Sequence, residues 1–572
     1  MVIARFGSWT FDGRRRQVFR GNGEVLHLTP KAFDLLGILL EQAPSVVRKN
    51  ELHERLWPGT FVSDATLVGL VKELRRSLND RNRHLPVIRT SYGVGYAFCA
   101  PIDRAPAAEL DKAPSSIAVL PFVNLSAESH NDYFGEGLTE ELINALTQLR
   151  GLRVASRTSV FQFRNSSVNI TEVGRQLRVS QVLEGSIQRA GNRLRITARL
   201  VNVADGYHLW SRRFERELTG IFEIQDEMTA SIVTALEPAL VRRPRSVADR
   251  HTSNVEAFEL YLRARYHWHQ RTPESLQTAI GHLEAAIRLD PDYALALAGR
   301  ADAYSILAFY GYLPLHDARA ASDQSSRRAL ELAPDLPETH YARALFTMWL
   351  SSQWREAEGS FRQALEIQPD FAPAHTHYAA FLSISNRLDE ARAHILEAVT
   401  LDPLSPAVYG TGALCMFTSG QYAEAVRYGT RALELHPNFA VGLYALGLTH
   451  CRLQQFERAC DAFERLLTLS NRATYFLGWK ALAHGLAGQV DEAIALAGEI
   501  AGRHPGEYTH PLTHVLVARA RADRGAAASA VRAYIAAGGA GFQMGHIVPF
   551  FGDWRSDPDF LELFEQLCLE LS

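Results

Sequence analysis

A repeat of fixed length fills the C-terminal half of the chain and constrains its fold more than any other feature. Proline recurs at Pro334, Pro369, Pro403 and Pro437, with separations of 35, 34 and 34 residues, and Pro291 lies one longer unit earlier. Self-similarity at such a period predicts a stack of small helical units that bury their apolar faces against one another. At 572 residues the chain is too long for a single core and should hold roughly three or four domains.

The period of 34 resembles that of tetratricopeptide repeats. Small residues recur inside the units at the family's positions 8, 20 and 27, where they let the two helices of a pair approach closely: Ala379, Ala391 and Ala398; Ala413, Ala425 and Ala432; and Gly447 and Ala459. The resemblance implies about eight helix pairs over residues 255–540 and a capping segment over 541–572. The groove of such an array would bind a protein or peptide partner or fold back on another domain of the chain, and a structural spacer is the alternative.

Positive charge is concentrated at the N-terminus. Residues 1–100 contain 15 Lys and Arg against 9 Asp and Glu, a net charge of +6, whereas the whole chain carries −3. The N-terminal region is therefore the part of the chain with the electrostatic sign that attracts a polyanion.

The first hundred residues predict strands, three helices and a hairpin, in that order. Turn signals at Asp12-Gly13 and Gly21-Asn22-Gly23 separate short strands. Thr29-Pro30 opens a helix over 31–42, a second helix covers 49–56, and Ser63 or Asp64 caps a third. The third helix buries one apolar face, formed by Leu67, Leu70, Val71, Leu74 and Leu78.

These residues resemble the winged-helix effector domain of OmpR/PhoB-type bacterial regulators, over residues 1–101. The resemblance is carried by LTPKAFDLLGILLEQAPSVVRKNELHERLWPG, DATLVGLVKELRRSLND and VIRTSYGVGYAF. It implies an α+β winged helix-turn-helix that binds double-stranded DNA, with the third helix in the major groove and the wing at the minor groove. The residues that would face the DNA are Thr66, Val68, Gly69, Lys72, Glu73, Arg75, Arg76, Arg89, Thr90 and Tyr92.

The chemistry of these side chains separates positioning from base reading. Lys72, Arg75 and Arg76 would contact mainly phosphate. Glu73 could accept from a cytosine amine or pair with Arg76. Tyr92 replaces a basic residue that the wing often carries, so a contact there is either missing or made by a hydroxyl group.

A segment rich in proline and alanine, residues 102–115, predicts a linker. Membrane-spanning relatives such as the CadC and ToxR regulators carry a transmembrane helix after the DNA-binding domain. This chain shows no apolar run of the required length, so we expect no membrane contact and a cytoplasmic location, as in the HilA-type arrangement. The winged helix starts at residue 1 with no receiver domain before it, so input would come from the C-terminal side.

Residues 116–241 predict a small α/β domain that resembles the TolB-like domains found before tetratricopeptide arrays. The matching stretches are SIAVLPFVNLS, YFGEGLTEELINAL, VLEGSIQRAGNRLRITARLVN and HLWSRRFER. The segment Gly135-Glu136-Gly137 precedes a predicted helix but lacks the Lys and Ser/Thr of a phosphate loop, and Glu136, Glu140 and Glu141 are interpreted as complements of the helix dipole. A folding or dimer-contact module and a small-molecule sensing pocket both remain open.

No pattern of catalytic or metal-binding residues is evident. Two pairs of histidines, His267 with His269 and His375 with His377, are separated by two positions, so on a helix each pair points apart and should not share an ion. The five cysteines are scattered and predict reduced thiols. We expect no enzyme activity, metal site or cofactor.

The sequence as a whole predicts a multidomain chain: a winged helix-turn-helix, a small α/β domain and an all-α tetratricopeptide superhelix. We interpret it as a sequence-specific DNA-binding transcriptional regulator with a protein-interaction arm. A second copy of the chain is a possible partner, in a homodimer. A loop that could contact RNA polymerase comprises Trp57, Pro58, Gly59, Thr60, Phe61 and Val62. The alternatives are a scaffold whose winged helix binds protein and an unrecognised enzyme in the middle domain.

Overall fold

The structure is a computed structural model. It describes residues 3–6, 9–12, 17–20, 25–26, 28–57, 62–78, 80, 86–100, 102–103, 115–126, 132–147, 149, 152–164, 169–191, 193–217, 221–236, 252–351, 353–504, 508–537, 539 and 541–568. The chain divides into two compact units, Met1–Pro114 and Ser115–Ser572.

The N-terminal unit contains two antiparallel sheets and three helices. The five-stranded sheet has the order β4-β3-β2-β1-β8 and comprises β1 (Ile3–Phe6), β2 (Trp9–Asp12), β3 (Gln17–Arg20), β4 (Val25–Leu26) and β8 (Ile102–Asp103). The three-stranded sheet has the order β5-β7-β6 and comprises β5 (Val47–Arg48), β6 (Ile88–Ser91) and β7 (Gly95–Phe98). The helices are α1 (Pro30–Gln42), α2 (Lys49–Leu56) and α3 (Asp64–Ser77).

Aromatic packing joins these elements into one core. Phe11 of β2 stacks on Phe33 of α1 with ring centroids 4.6 Å apart, and Phe6 of β1 meets Phe98 of β7 edge to face at 4.9 Å. Strand β8 lies within the segment predicted as a linker and pairs with the outer edge of β1. The pairing satisfies backbone groups that β1 would otherwise leave unbonded at the sheet edge. Residues 104–114 of the predicted linker, and Gly13 and Gly21-Asn22-Gly23 of the predicted turns, lie outside the described residues.

The middle domain is a mixed sheet with helices on it. Its strands follow the order β11-β9-β12-β13-β14, with β10 also pairing with β12: β9 (Ser115–Val119), β10 (Val123–Asn124), β11 (Leu152–Val154), β12 (Gln181–Ala190), β13 (Arg193–Asn202) and β14 (His208–Glu217). Its helices are α4 (Asp132–Thr147), α5 (Arg157–Val160), α6 (Ile170–Leu177) and α7 (Ile221–Leu236). Along β13, buried Leu194, Ile196 and Ala198 alternate with exposed arginines, the pattern of a sheet covered on one face.

Eight helix pairs follow within the described residues, as the repeat predicts. They are α8 (Val255–Trp268) with α9 (Pro273–Leu289), α10 (Ala294–Phe309) with α11 (Leu315–Leu332), α12 (Pro337–Phe346) with α13 (Trp354–Ile367), α14 (Ala372–Ile384) with α15 (Leu388–Leu401), α16 (Pro406–Thr418) with α17 (Tyr422–Leu435), α18 (Ala440–Arg452) with α19 (Phe456–Leu469), α20 (Thr474–Leu486) with α21 (Val490–Ala501), and α22 (Pro511–Ala520) with α23 (Arg524–Ala536). After them come α24 (Gly541–Ile547) and α25 (Pro558–Cys568).

Small residues allow the close helix packing of this array. The alanines predicted at the repeat positions are at most 1% exposed, among them Ala391, Ala413 and Ala432. The first helices of successive pairs pack directly on one another, α14 on α16 and α16 on α18, for example. They therefore line the inner, concave side of the superhelix.

The middle domain packs against the repeats within the same compact unit. Helix α4 contacts α8 so closely that a Cβ atom on Gly137 would lie 2.6 Å from Leu262 Cδ2. Farther along the array, the backbone N–H of Leu404 donates to Ser159 Oγ at 2.9 Å, and that hydroxyl donates to Asp402. The repeats therefore hold another part of the same chain, one of the alternatives that the sequence left open.

The acidic residues of α4 have a different role from the predicted one. The helix begins at Asp132, so Glu136 and Glu140 lie beyond its first turn, where a helix dipole acts weakly. Both are 8% exposed and face arginines: Glu136 Oε1 lies 2.6 Å from Arg164 Nη1, and Glu140 Oε2 lies 3.0 Å from Arg157 Nε. Arg265 Nε of α8 donates to Glu140 Oε1 at 2.9 Å. These residues form a buried ion-pair cluster between the middle domain and the first repeat.

Burial and charge act in opposite directions on this cluster. Burial disfavours ionisation of Glu140, but Arg265 and Arg157 outweigh it and hold the pKa of Glu140 well below its usual range. Burial, together with the charges of Glu140 and Glu338, raises the pKa of Glu141 to about 8. His269, one of the paired histidines, lies in the same cluster, and burial lowers its pKa well below the usual value.

The other histidines of the two sequence pairs also contact residues of the repeat array. His375 Nδ1 is 2.8 Å from His394 Nδ1, and His267 stacks on His282 with ring centroids 5.7 Å apart. Among the described cysteines, Cys99, Cys415, Cys451 and Cys460 are free thiols. Of the helices in the described residues, none combines the length and the apolar character that a bilayer crossing requires.

Candidate nucleic-acid interface

Helix α3 is held by one face and offers the other to solvent. Leu67, Val71 and Leu74 are at most 2% exposed. Gly69, Lys72 and Arg76 lie on the opposite side and are exposed, at the spacing of one helix face. Lys72 and Arg76 form no ion pair with any other described residue. Both cations therefore stand open to solvent on the outer face of the helix.

A groove of about 290 Å³ separates α3 from the wing, the hairpin formed by β6 and β7. Five of the ten residues predicted to face DNA line it: Val68, Lys72, Arg75, Thr90 and Tyr92. Four residues that were not predicted to face DNA line it as well: Lys49, Ser91, Gly93 and Tyr96. Val71 of the α3 core completes it. Side chains from three separate stretches of sequence thus form one basic concave surface.

Arg75 connects the helix to the wing. Its Nη2 donates to the Ile88 carbonyl oxygen at 2.7 Å and to Thr90 Oγ1 at 2.8 Å, and its Nε donates to the same carbonyl at 3.3 Å. Two guanidinium nitrogens are therefore engaged within the domain. Arg75 and Thr90, both predicted to face DNA, therefore join α3 to the wing.

Glu73 forms hydrogen bonds inside the domain with Thr29, and not with Arg76. Its two carboxylate oxygens accept from the Thr29 backbone N–H at 3.0 Å and from Thr29 Oγ1 at 3.1 Å. Thr29 is the N-cap of α1, and its own hydroxyl accepts from Ala32 N. The contact spans 44 residues of sequence and arises because α3 crosses the start of α1, so local sequence reasoning had no signal for it.

Lys49 and His53 of α2 hold the start of α3. Lys49 Nζ lies 2.6 Å from Asp64 Oδ2, and His53 Nε2 lies 3.2 Å from Asp64 Oδ1. The hydrogen bond from Lys49 lowers the pKa of Asp64, and the reciprocal bond raises the pKa of Lys49. An acid in the first turn also complements the helix dipole. The pairing sets the position of α3 and places Lys49 in the groove.

The wing depends on two glycines. Gly93 has a φ of +76°, a left-handed conformation that favours glycine at the turn. A Cβ atom on Gly95 would lie 1.9 Å from the Val47 carbonyl oxygen, so only glycine fits where β7 pairs with β5. At the tip of the wing, Tyr92 is 94% exposed. Arg89 is also exposed, on β6.

The predicted polymerase-contact loop is described only at its ends. Trp57 is half-buried, and its ring lies 5.5 Å from that of His53. Val62 is half-buried as well. Pro58, Gly59, Thr60 and Phe61 lie outside the described residues.

Three family models match separate parts of the chain. Residues 23–98 match "Transcriptional regulatory protein, C terminal", residues 113–231 match "HilA/YgeH-like transcriptional regulator, second domain", and residues 442–469 match "Tetratricopeptide repeat". The first match contains the whole groove, and the second covers most of the middle domain.

Relatives share long parts of the chain. A protein of Rhizobium meliloti named putative adenylate cyclase 3 is 35% identical over 246 residues, 42% of this chain and 41% of its own length. The transcriptional regulator HilA of Salmonella typhimurium is 25% identical over 418 residues, 72% of this chain and 73% of its own. The chain therefore spans about two fifths of the cyclase-named relative and nearly three quarters of HilA.

Among solved structures, the RstA DNA-binding domain of Klebsiella pneumoniae, crystallised with its RstA box, is 32% identical. It covers 17% of this chain and 96% of its own, with a TM-score of 0.16. The chain has the domain composition of a DNA-binding transcriptional regulator: a winged helix of the transcriptional regulatory protein C-terminal family, a HilA/YgeH-like second domain and a tetratricopeptide-repeat region.

Proposed function

We propose that this chain is a sequence-specific transcriptional regulator whose helix α3 enters the major groove of promoter DNA while the wing reaches the adjacent minor groove. The observation that carries the proposal is the exposed stripe of Gly69, Lys72 and Arg76 beside a basic groove. An α-helix fits the major groove, and cations on its flank neutralise phosphates. The match of residues 23–98 to the family of transcriptional regulatory protein C-terminal domains supports the proposal.

The ten predicted residues divide into two roles. Thr66, Gly69, Lys72, Arg76, Arg89 and Tyr92 are exposed and able to meet DNA, with Val68 at the groove. Glu73, Arg75 and Thr90 form hydrogen bonds inside the domain: Arg75 and Thr90 position the wing against α3, and Glu73 holds the N-cap residue of α1. With few side chains on α3 that pair with a base edge, specificity would come from two chains bound to tandem half-sites, about one helical turn apart.

The remaining contacts are assigned by the same proposal. The segment from Trp57 to Val62 would contact RNA polymerase, since it leads into α3 and precedes the DNA-facing surface. A protein partner would act through the repeats. We assign no catalytic role to the middle domain, because the buried acids Glu136 and Glu140 are paired with arginines. Hydrolysis or cyclisation of ATP by the full chain would overturn that assignment.

The DNA-binding proposal is tested by titrating labelled duplex DNA with the full chain over a range of salt concentrations. Lys72→Ala with Arg76→Ala should weaken binding to every duplex and lower the slope of log K against log salt by about 0.9 for each phosphate that is no longer neutralised. The matched control is Arg458→Ala with Arg521→Ala, which removes the same charge from exposed positions in the array. Unchanged binding by the first variant, or an equal weakening in the control, would refute the proposal.

A further inference from the structure

The end of the chain turns back across the concave side of its own repeat array. Helix α24 packs on α14, where a Cβ atom on Gly545 would lie 3.3 Å from Ile384 Cγ2. His546 lies against Tyr444 of α18, with ring centroids 5.8 Å apart. The segment from Gly541 to Phe551 therefore runs over the first helices of several successive pairs, the surface on which repeat arrays of this type bind ligands.

Phe550 is the side chain by which this segment enters the array. Its ring stacks on Phe417 of α16 at 6.0 Å and meets Trp479 of α20 edge to face at 5.5 Å. Phe550 is 3% exposed, and Met544 and Ile547, at intervals of three residues before it, are at most 1% exposed. Phe550 is thus the anchor on the inner surface, and two buried apolar residues precede it at the same spacing.

Two arginines bind the backbone of the segment. Arg452 Nη1 of α18 donates to the Pro549 carbonyl oxygen at 2.9 Å, and Arg519 Nε of α22 donates to the Phe550 carbonyl oxygen at 2.8 Å. Carbonyl oxygens are present in every peptide, so these bonds hold a chain without regard to its side chains. The aromatic contacts of Phe550 distinguish one peptide sequence from another. The two arginines bind backbone oxygens and therefore add affinity for any peptide.

The composition of the segment matches that mode of binding. Residues 541–552 contain no Asp, Glu, Lys or Arg. His546 is 2% exposed, and burial lowers its pKa to about 4, so it is neutral near pH 7. A neutral segment leaves the arginines to pair with backbone oxygens instead of carboxylates.

We propose that the inner surface formed by α14, α16, α18, α20 and α22 is a peptide-binding site that holds residues 541–552 as its resident ligand. The partner it fits is a short uncharged segment of another protein with apolar residues at intervals of three and an aromatic residue at the position of Phe550. Such a partner binds by displacing the resident segment. This inference rests on the part of the proposed function that gives the repeats a protein partner. The peptide measurements involve no DNA, so their failure leaves the DNA-binding proposal untouched.

The probe is a fluorescent peptide with the sequence of residues 541–552, titrated with the full chain and followed by anisotropy. Wild type should bind it weakly, because the tethered segment competes at high effective concentration. Phe550→Ala in the protein weakens the resident segment and leaves the surface intact, so it should bind the peptide about tenfold more tightly or better. A peptide that itself carries Phe550→Ala should not show that gain.

The matched control in the protein is Leu561→Ala, a change at a 45% exposed position of α25, outside the resident segment. It should bind like wild type. Equal affinities of wild type and the Phe550→Ala protein for the peptide would overturn the proposal, as would equal binding of the two peptides.

A measurement on unmodified protein covers the case in which Phe550→Ala fails to fold. Hydrogen exchange of the amides in residues 541–551 is recorded with and without excess unlabelled peptide. Displacement should speed their exchange and leave the amides of α4 unchanged. The free peptide should compete once its concentration reaches the millimolar range, which equals the effective concentration of a segment on a short tether. If exchange at residues 541–551 is unaffected at that concentration, the segment is a permanent part of the core and the proposal is refuted.

Discussion

Replacing Glu140 by glutamine tests whether the buried ion pairs join the middle domain to the repeats. Glu140 is 8% exposed and binds Arg265 of α8 and Arg157 of α5 at once. Glutamine keeps the shape of the side chain but removes its charge, so two guanidinium groups would remain in the same buried space without their shared counter-ion. Removing one partner from a buried ion pair costs about 3–5 kcal/mol.

The cost is measured as a shift of the thermal transition of the full chain. For a cooperative unit of some 150–250 residues, 1 kcal/mol corresponds to about 2–4 °C, so Glu140→Gln should lower the transition by roughly 6 °C or more. Because the cluster lies between α4 and α8, hydrogen exchange should rise in both helices. The pKa of Glu140 is held low, so this stabilisation is present above its unfolded pKa and is lost only as pH falls through the folded value.

Glu172→Gln is the matched control in the same domain. Glu172 pairs with Arg175 at 2.6 Å, but the arginine side chain is 76% exposed, so water replaces the interaction and the transition should not move measurably. A Glu140→Gln protein that melts with wild type, or exchange that rises in only one of the two helices, would refute the reasoning.

Three further predictions concern single residues. Gly95→Ala should destabilise the DNA-binding unit by about 1–3 kcal/mol or more, because its Cβ would overlap the Val47 carbonyl oxygen, as measured by thermal melting and loss of DNA binding together. Glu73→Ala should lower the stability of the DNA-binding unit by about 1 kcal/mol, because it removes the hydrogen bonds to Thr29, and hydrogen exchange at the start of α1 should rise. DNA binding by the folded protein should not weaken. The Glu141→Gln protein should be more stable than wild type by an amount that grows from pH 5 to pH 8, because wild type takes up a proton on folding in that range. Thermal unfolding of both proteins at a series of pH values measures the difference.

Each of these predictions has a control or an opposite outcome. Gly69→Ala puts a methyl group where nothing lies within 4 Å and should stabilise α3 slightly, in contrast to Gly95→Ala. Weakened DNA binding by folded Glu73→Ala protein would give Glu73 a direct role at the DNA. A Glu141→Gln protein whose stability follows wild type at every pH would show that Glu141 is ionised in the folded state.

Local and periodic features of the structure could be predicted from sequence. Proline and alanine spacing predicts the helix pairs, since each repeat contacts mainly its neighbours and its pattern is written within one unit. Helix α3, its N-cap region and the glycine turn of the wing follow from residues only a few positions apart. The stripe of Gly69, Lys72 and Arg76 follows from the same helical periodicity.

Contacts between distant residues were decided by the tertiary structure. From the sequence, Glu73, Arg75 and Arg76 were all predicted to face DNA. In the structure, Glu73 is hydrogen-bonded to Thr29, Arg75 is hydrogen-bonded to the wing, and Arg76 is exposed. The same holds for Glu140, which the sequence places on a helix and the fold places beside Arg265. Repeat periodicity predicted the inner surface of the array, but the segment that covers it lies up to about 160 residues farther along the sequence, since Gly545 packs on Ile384. Which side chain meets which across such distances depends on the relative placement of whole elements, and no local pattern encodes that placement.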